Sequence, residues 1–137
     1  MNHWLLKSEP DSFSIDALKR APRQTAAWDG VRNYQARNML RDSIKKGDQA
    51  FFYHSGCAVP GIAGIVAIVK GGYPDATAPW YVVDVKLERK FERIVTLGEL
   101  RRHAADALKD FVLLRRGTRL SVMPVSAKHW NFILTLE

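Results

Sequence analysis

The segment Trp28-Asp29-Gly30-Val31-Arg32-Asn33-Tyr34-Gln35-Ala36-Arg37-Asn38 gathers an indole, a carboxylate, a turn glycine, amides, a phenol and two guanidinium groups. Core packing does not call for that mixture, whereas recognition of a flat, polar ligand does. Trp28 stands between Ala26-Ala27 and Asp29-Gly30 with no hydrophobic periodicity around it, so the sequence reads it as an indole presented from a loop. Stacking on a nucleobase would gain about 1 to 3 kcal/mol; the alternative is that Trp28 caps the core. Asp29 can accept from an exocyclic amine, and Asn33 and Gln35 can donate and accept together. Such groups discriminate because the wrong edge leaves them buried and unpaired. Asn33 has a rival role as a helix cap, which would commit its side chain to a backbone amide.

Other residues could join this chemistry. Tyr53-His54-Ser55 ends an apolar strand, where side chains leave the core; His54 can donate to a carbonyl or phosphate oxygen, or serve as a satisfied structural histidine. Cys57 follows His54 by three positions, but no third residue or oxyanion motif completes a nucleophile site. Lys7, Ser8 and Glu9 follow the first strand, offering either a base pocket, an acid–base pair or a local ion pair. Arg115-Arg116-Gly117-Thr118-Arg119 precedes a strand; glycine lets the backbone approach a phosphate, and three guanidinium groups supply forked donors. His3, His54, His103 and His129 are scattered without metal-site spacing, so neither a metal nor a cofactor is expected.

Charge points the same way. Lys plus Arg number 21 against 14 Asp plus Glu, giving +7 and a pI near 9.8, a balance that favours an anionic partner. The stretch from Phe111 to Leu136 holds Arg115, Arg116, Arg119 and Lys128 and no acid, and Val31 to Arg41 holds Arg32, Arg37 and Arg41 and no acid. Nucleic acid fits, since basic side chains gain affinity by releasing condensed counterions; a solubilising surface is the plain alternative.

These residues need positioning elements. Trp4 to Lys7 reads as a buried strand, and Ser14 caps a helix through Arg20. Ala21 to Ala27 reads as loop. From Asn33, the residues Ala36, Met39, Leu40 and Ile44 fall at helical spacing until Gly47. Gln49 to His54 and Gly61 to Val69 read as central strands joined by Ser55 to Pro60, and Trp80 to Phe91 alternates as a half-exposed strand. Thr96 to Glu99 is a capping box, Leu120 to Met123 a short strand, and Ser126 the cap of a last helix. This pattern suits an α+β fold, a small mixed β-barrel flanked by short helices, rather than a doubly wound sheet. At 137 residues, 47% of them hydrophobic, residues 1 to 137 read as a single domain. One cysteine, no signal-peptide pattern and no long apolar run imply a reducing, cytoplasmic setting and no membrane partner.

Together with Trp4-Leu5-Leu6-Lys7-Ser8-Glu9-Pro10, Phe52-Tyr53-His54-Ser55 and the Leu113 to Val125 block, the Trp28 to Asn38 segment resembles the EVE domain. The resemblance implies a PUA-like barrel, related to the YTH and ASCH domains, that reads modified DNA or RNA without catalysis. Its pocket would take a flipped base such as 5-methylcytosine or 5-hydroxymethylcytosine. By position, Trp28 would form a wall with Ser8, Asp29, Asn33, Tyr53, His54 and Ser55 around it, and Trp80 a second wall. Arg116 to Ser121, with Arg119 among them, would form the rim; Lys7, Arg32, Arg37 and Arg115, read from their own place and charge, would join it on phosphate. Effector activity would come from proteins on separate chains. Family members usually carry a longer insertion after Tyr73-Pro74-Asp75, where this chain has only Ala76 to Pro79, and this bears on Trp80. Two other readings stay open: an ASCH-like hydrolase of a modified nucleoside using Lys7 and Glu9, and a module binding a peptide or metabolite.

Overall fold

The structure, a computed structural model, describes residues 1–137. It contains a six-stranded mixed sheet with short helices: β1 His3–Ser8, α1 Ile15–Arg20, β2 Thr25–Trp28, α2 Tyr34–Asn38, β3 Gln49–His54, β4 Gly61–Pro74, β5 Tyr81–Thr96, α3 Leu97–Arg101, β6 Val122–Val125 and α4 Ala127–Leu134. The strand order is β2-β5-β4-β3-β1-β6, with β1 and β3 parallel and the other neighbours antiparallel.

Alternation along the strands sorts side chains onto two faces. Trp4, Leu6 and Phe52 join Trp28, Leu18, Leu40 and Val83 in one core, while Leu5, Phe51 and Tyr53 join Phe91, Leu100, Phe111, Trp130 and Ile133 in the other. The Trp28 ring on β2 meets the Phe52 ring on β3 at 5.2 Å, although β5 and β4 lie between them in the sheet order. That contact requires the sheet to curl, making the first core the inside of a barrel. The end strands β2 and β6 are not hydrogen-bonded to each other, so the barrel has a seam. The second core lies on the outer face, beneath α3, α4 and the Leu108–Leu114 segment.

Local signals hold where a cap fixes them. Ser14, Thr96 and Ser126 accept from the amides of Ala17, Glu99 and His129, and Glu99 returns a bond to the Thr96 amide. Two expectations fail. The helix after Asn33 does not reach Gly47: α2 passes into a π turn at Met39–Ser43, and Ile44 is extended. There β4 crosses so closely that a methyl group on Gly72 would collide with the Leu40 carbonyl oxygen. The expected loop before Trp28 contains β2, whose central Ala26-Ala27 pair carries little strand propensity and is held extended by pairing with Lys86 to Val83 of β5.

Candidate functional site

The seam opens into a cavity of about 410 Å³ lined by Lys7 and Ser8 of β1, Ser12, Phe13, Ala26 to Val31 and Ser121, a volume suited to a small planar ligand. Trp28 is only 6% exposed. Its ring sits edge-on to Phe52 and, at 6.3 Å, to Phe13. Its indole N–H has no protein acceptor, yet no buried side-chain polar atom goes unpaired, so that N–H opens to the cavity. Trp28 therefore seals the barrel core and walls the cavity at once, the two roles that sequence opposed.

Two polar groups of this cavity, Ser8 and Asp29, offer a ligand only lone pairs. Ser8 Oγ donates its hydrogen to the Phe13 carbonyl at 2.6 Å, leaving only lone pairs for a ligand. Asp29 is exposed at the mouth without an ion-pair partner, and Gly30 at φ +77° turns the chain there. Lys7 and Ser121 face it from the other border of the seam, joined by the Lys7 N–H donating to the Ser121 carbonyl at 2.8 Å. Phe13 and Ser12 escaped the sequence reading, because a turn cluster gives no periodicity to mark them.

A second cavity, of about 350 Å³, shares Lys7 and is otherwise lined by Tyr53, Leu97, Arg101 and Leu113 to Thr118. Here the structure corrects the placement of Tyr53. It points away from Phe52 because neighbours on a strand face opposite sides, and it lies across the parallel β1–β3 pair from Lys7. Burial pushes its phenol up to about 12 and lowers the pKa of the Lys7 ammonium. Arg115 and Arg116 meet in this cavity, with Arg101 added from α3.

Several expected base-pocket residues are placed elsewhere. Asn33 Oδ1 accepts from the Ala36 amide at 3.0 Å, so it caps α2. His54 Nε2 accepts from the Ile15 amide at 3.1 Å, which requires a neutral ring and fixes the start of α1; burial lowers its pKa in the same sense. Ser55 lines neither cavity, and its amide donates to the Ser8 carbonyl. Trp80 is no second wall. Its ring packs on Tyr34 at 5.0 Å and under the Arg32 guanidinium at 5.4 Å, while Arg37 lies over Tyr34 and donates to the Pro79 carbonyl. Arg32 also bonds Asp75, and Arg119 is exposed and lines neither cavity. Glu9 lines neither cavity either, so Lys7 and Glu9 do not converge as an acid–base pair. No three His, Cys, Asp or Glu side chains are grouped to hold a metal ion, and no helix is long and apolar enough to cross a membrane.

A curled mixed sheet flanked by short helices, with an aromatic and polar cavity at its seam, defines a PUA-like α+β domain. The chain belongs to the EVE domain family, whose model matches residues 2–136. It is 43% identical to human thymocyte nuclear protein 1 over 168 aligned residues, covering 99% of this chain and 74% of that protein. The alignment is longer than the 137 residues here, so the human protein carries extra sequence inside the matched span. An uncharacterised fission-yeast protein is 37% identical, covering 98% of this chain and 68% of that protein. The crystal structure of human THYN1 in complex with 5-methylcytosine containing DNA superposes with a TM-score of 0.92 at 43% identity, covering 99% and 97% of the two chains. A Pseudomonas putida protein superposes at 0.90 with 46% identity, covering 98% of each chain.

Proposed function

We propose that this protein is a non-catalytic reader of modified DNA that takes a flipped 5-methylcytosine or related base into the seam cavity. The observation that carries this reading is the cavity itself, with the Trp28 indole as a wall and Ser8 and Asp29 presenting lone pairs. Support comes from the similar human structure, which holds DNA containing 5-methylcytosine. A base must leave the stack before such a cavity can hold it.

The acceptors give a base preference. Cytosine presents an exocyclic amine where thymine presents a carbonyl oxygen, and both carry a methyl group when cytosine is 5-methylated. Ser8 Oγ and Asp29 can accept from the amine and have no hydrogen to give the carbonyl, so thymine would leave lone pairs facing one another. The methyl group itself finds apolar surface in Phe13, Ala26 and Val31. Basic side chains beyond the cavity hold phosphates. Residues 1–137 act as one domain in this reading, in a reducing compartment such as the cytoplasm that suits the lone Cys57.

The test is a tryptophan-fluorescence titration with matched single-stranded oligonucleotides bearing cytosine, 5-methylcytosine, 5-hydroxymethylcytosine or thymine, in DNA and RNA. The expected result is quenching that is tightest for the modified cytosines and weak for thymine, with the Trp28→Phe protein weakened. Equal affinity for all four bases would overturn the reading. Release of free base or nucleoside during the titration would move a hydrolase to the front.

A further inference from the structure

The second cavity has a composition the first lacks. Its lining brings together Lys7, Arg101, Arg115 and Arg116 with no carboxylate among them, and none of the four forms an ion pair within the protein. Some cations elsewhere are paired, Arg89 with Glu137, Lys90 with Asp16 and Arg93 with Glu99; the four of the cavity are set apart by sharing one space. Tyr53 is 3% exposed, and its hydroxyl has no protein partner although no buried side-chain polar atom is left unpaired. That hydroxyl must therefore open into the cavity as a free donor. Gly117, at φ +76° with nothing within 4 Å of where a side chain would begin, leaves the backbone approachable from the same side. Clustered unpaired cations repel one another, so a cavity of this kind is stabilised by an anion.

Lys7 fixes where that anion belongs. It lines both cavities, so a ligand in the first has the second directly beyond the lysine. We propose that the two cavities form one bipartite mononucleotide site, with the base in the seam cavity and a phosphate attached to its own sugar in the second, held by Arg101, Arg115, Arg116 and the Tyr53 hydroxyl with Lys7 at the divide. This assignment rests on the base-reading proposal for the first cavity and gives Arg101 and Tyr53 a binding role. The elevated phenol pKa keeps Tyr53 a hydrogen-bond donor throughout the physiological range. Guanidinium forks match phosphate oxygens in pairs.

The experiment compares 5-methyl-2′-deoxycytidine with its 5′- and 3′-monophosphates by NMR titration of the wild-type protein, Arg101→Gln and Tyr53→Phe, with inorganic phosphate as a competitor. One monophosphate is expected to bind at least about tenfold more tightly than the nucleoside. Arg101→Gln should remove most of that advantage, Tyr53→Phe a smaller part, and the loss should be confined to phosphate-bearing ligands. Arg101 is exposed, so its substitution spares the core; amide spectra of the variants verify the fold. Equal affinity for nucleoside and both monophosphates, or a phosphate advantage that survives Arg101→Gln, overturns the proposal. If cytidine and 5-methylcytidine monophosphates bind alike while Arg101→Gln still removes the phosphate advantage, base reading fails and the phosphate site stands. A single-stranded oligonucleotide bearing 5-methylcytosine supplies an independent readout. Losing one phosphate contact lowers the slope of log affinity against log salt by about 0.7, and an unchanged slope for Arg101→Gln counts against the proposal.

Discussion

The two cavities that meet at Lys7 are made from adjacent residues of the same strands, and they differ in nearly every chemical respect. Ser8 on β1 faces the seam cavity with the Phe52 side of β3, where rings and lone pairs gather. Tyr53, one residue after Phe52, faces the other, where cations gather without acids. A β-strand reverses its side chains at each step, so two incompatible environments can be placed within a few ångströms of each other without a partition of their own. The comparison teaches that the pleat separates an aromatic compartment with a carboxylate at its mouth from a cationic one without acids, as a nucleotide separates its base from its phosphate.

The largest effect on this contrast is expected from Trp28→Ala. It removes both a wall of the first cavity and a buried core ring, so stability should fall by about 3 to 5 kcal/mol in chemical denaturation. Binding of the 5-methylcytosine oligonucleotide should weaken by roughly ten- to a hundredfold. Trp28→Phe separates the two losses, recovering much of the stability and less of the affinity. Retained affinity in a folded Trp28→Ala protein would show that the ligand sits elsewhere.

Ser8→Ala is next. It deletes an acceptor facing the seam cavity and frees the Phe13 carbonyl. The ratio of affinities for 5-methylcytosine over thymine should drop about tenfold, with the salt dependence unaltered because the second cavity is untouched. A change in salt slope with an unchanged base ratio would contradict the separation of roles.

Asn33→Ala sharpens the comparison from outside. As the cap of α2 its loss should cost about 1 kcal/mol in a melting or denaturant series, with affinity changed less than about twofold. A loss of affinity larger than the loss of stability would return Asn33 to the base pocket.

The subtlest effect is set by pH. His54 has a folded-state pKa below its ordinary 6.5 because of burial, opposed by Asp16 and reinforced by Lys90. The unfolded chain therefore takes up a proton first as pH falls. The His54 contribution is fully present above about pH 6.5 and is lost as pH falls through the unfolded and then the folded pKa. His3 is lowered in the same direction. Melting temperatures between pH 8 and 5 should decline in the wild type and decline less in His54→Gln. Equal slopes in the two proteins would mean that Nε2 does not hold the α1 amide.

What could be read from the chain follows the range of the interactions. Caps at Ser14, Thr96 and Ser126 are local, and sequence placed them within a residue. The strand Gln49–His54 announced itself by its apolar run. Trp28 and Asp29 were legible as site candidates because the mixture of types in their segment fits no packing rule, and Ser8 by its place after the first strand; all three line one cavity. Tyr53 and His54 were misplaced because being adjacent to a motif says nothing about the face a side chain occupies. Asn33 can make either of two hydrogen bonds, and sequence cannot choose between them. The seam was invisible, since it depends on residues about ninety positions apart, Trp28 and Ser121, coming to border the same space.

That seam has a mechanical meaning. β2 is attached to the sheet only along its β5 side and β6 only along its β1 side, so the ring has two free edges that face each other across one gap. A ligand gripping Trp28 from one border and Ser121 from the other acts as a removable latch across the gap. If the base-reading proposal holds, hydrogen exchange of the Thr25–Trp28 amides should slow when the ligand is bound, because occupancy would tie the edge strand to the rest of the barrel.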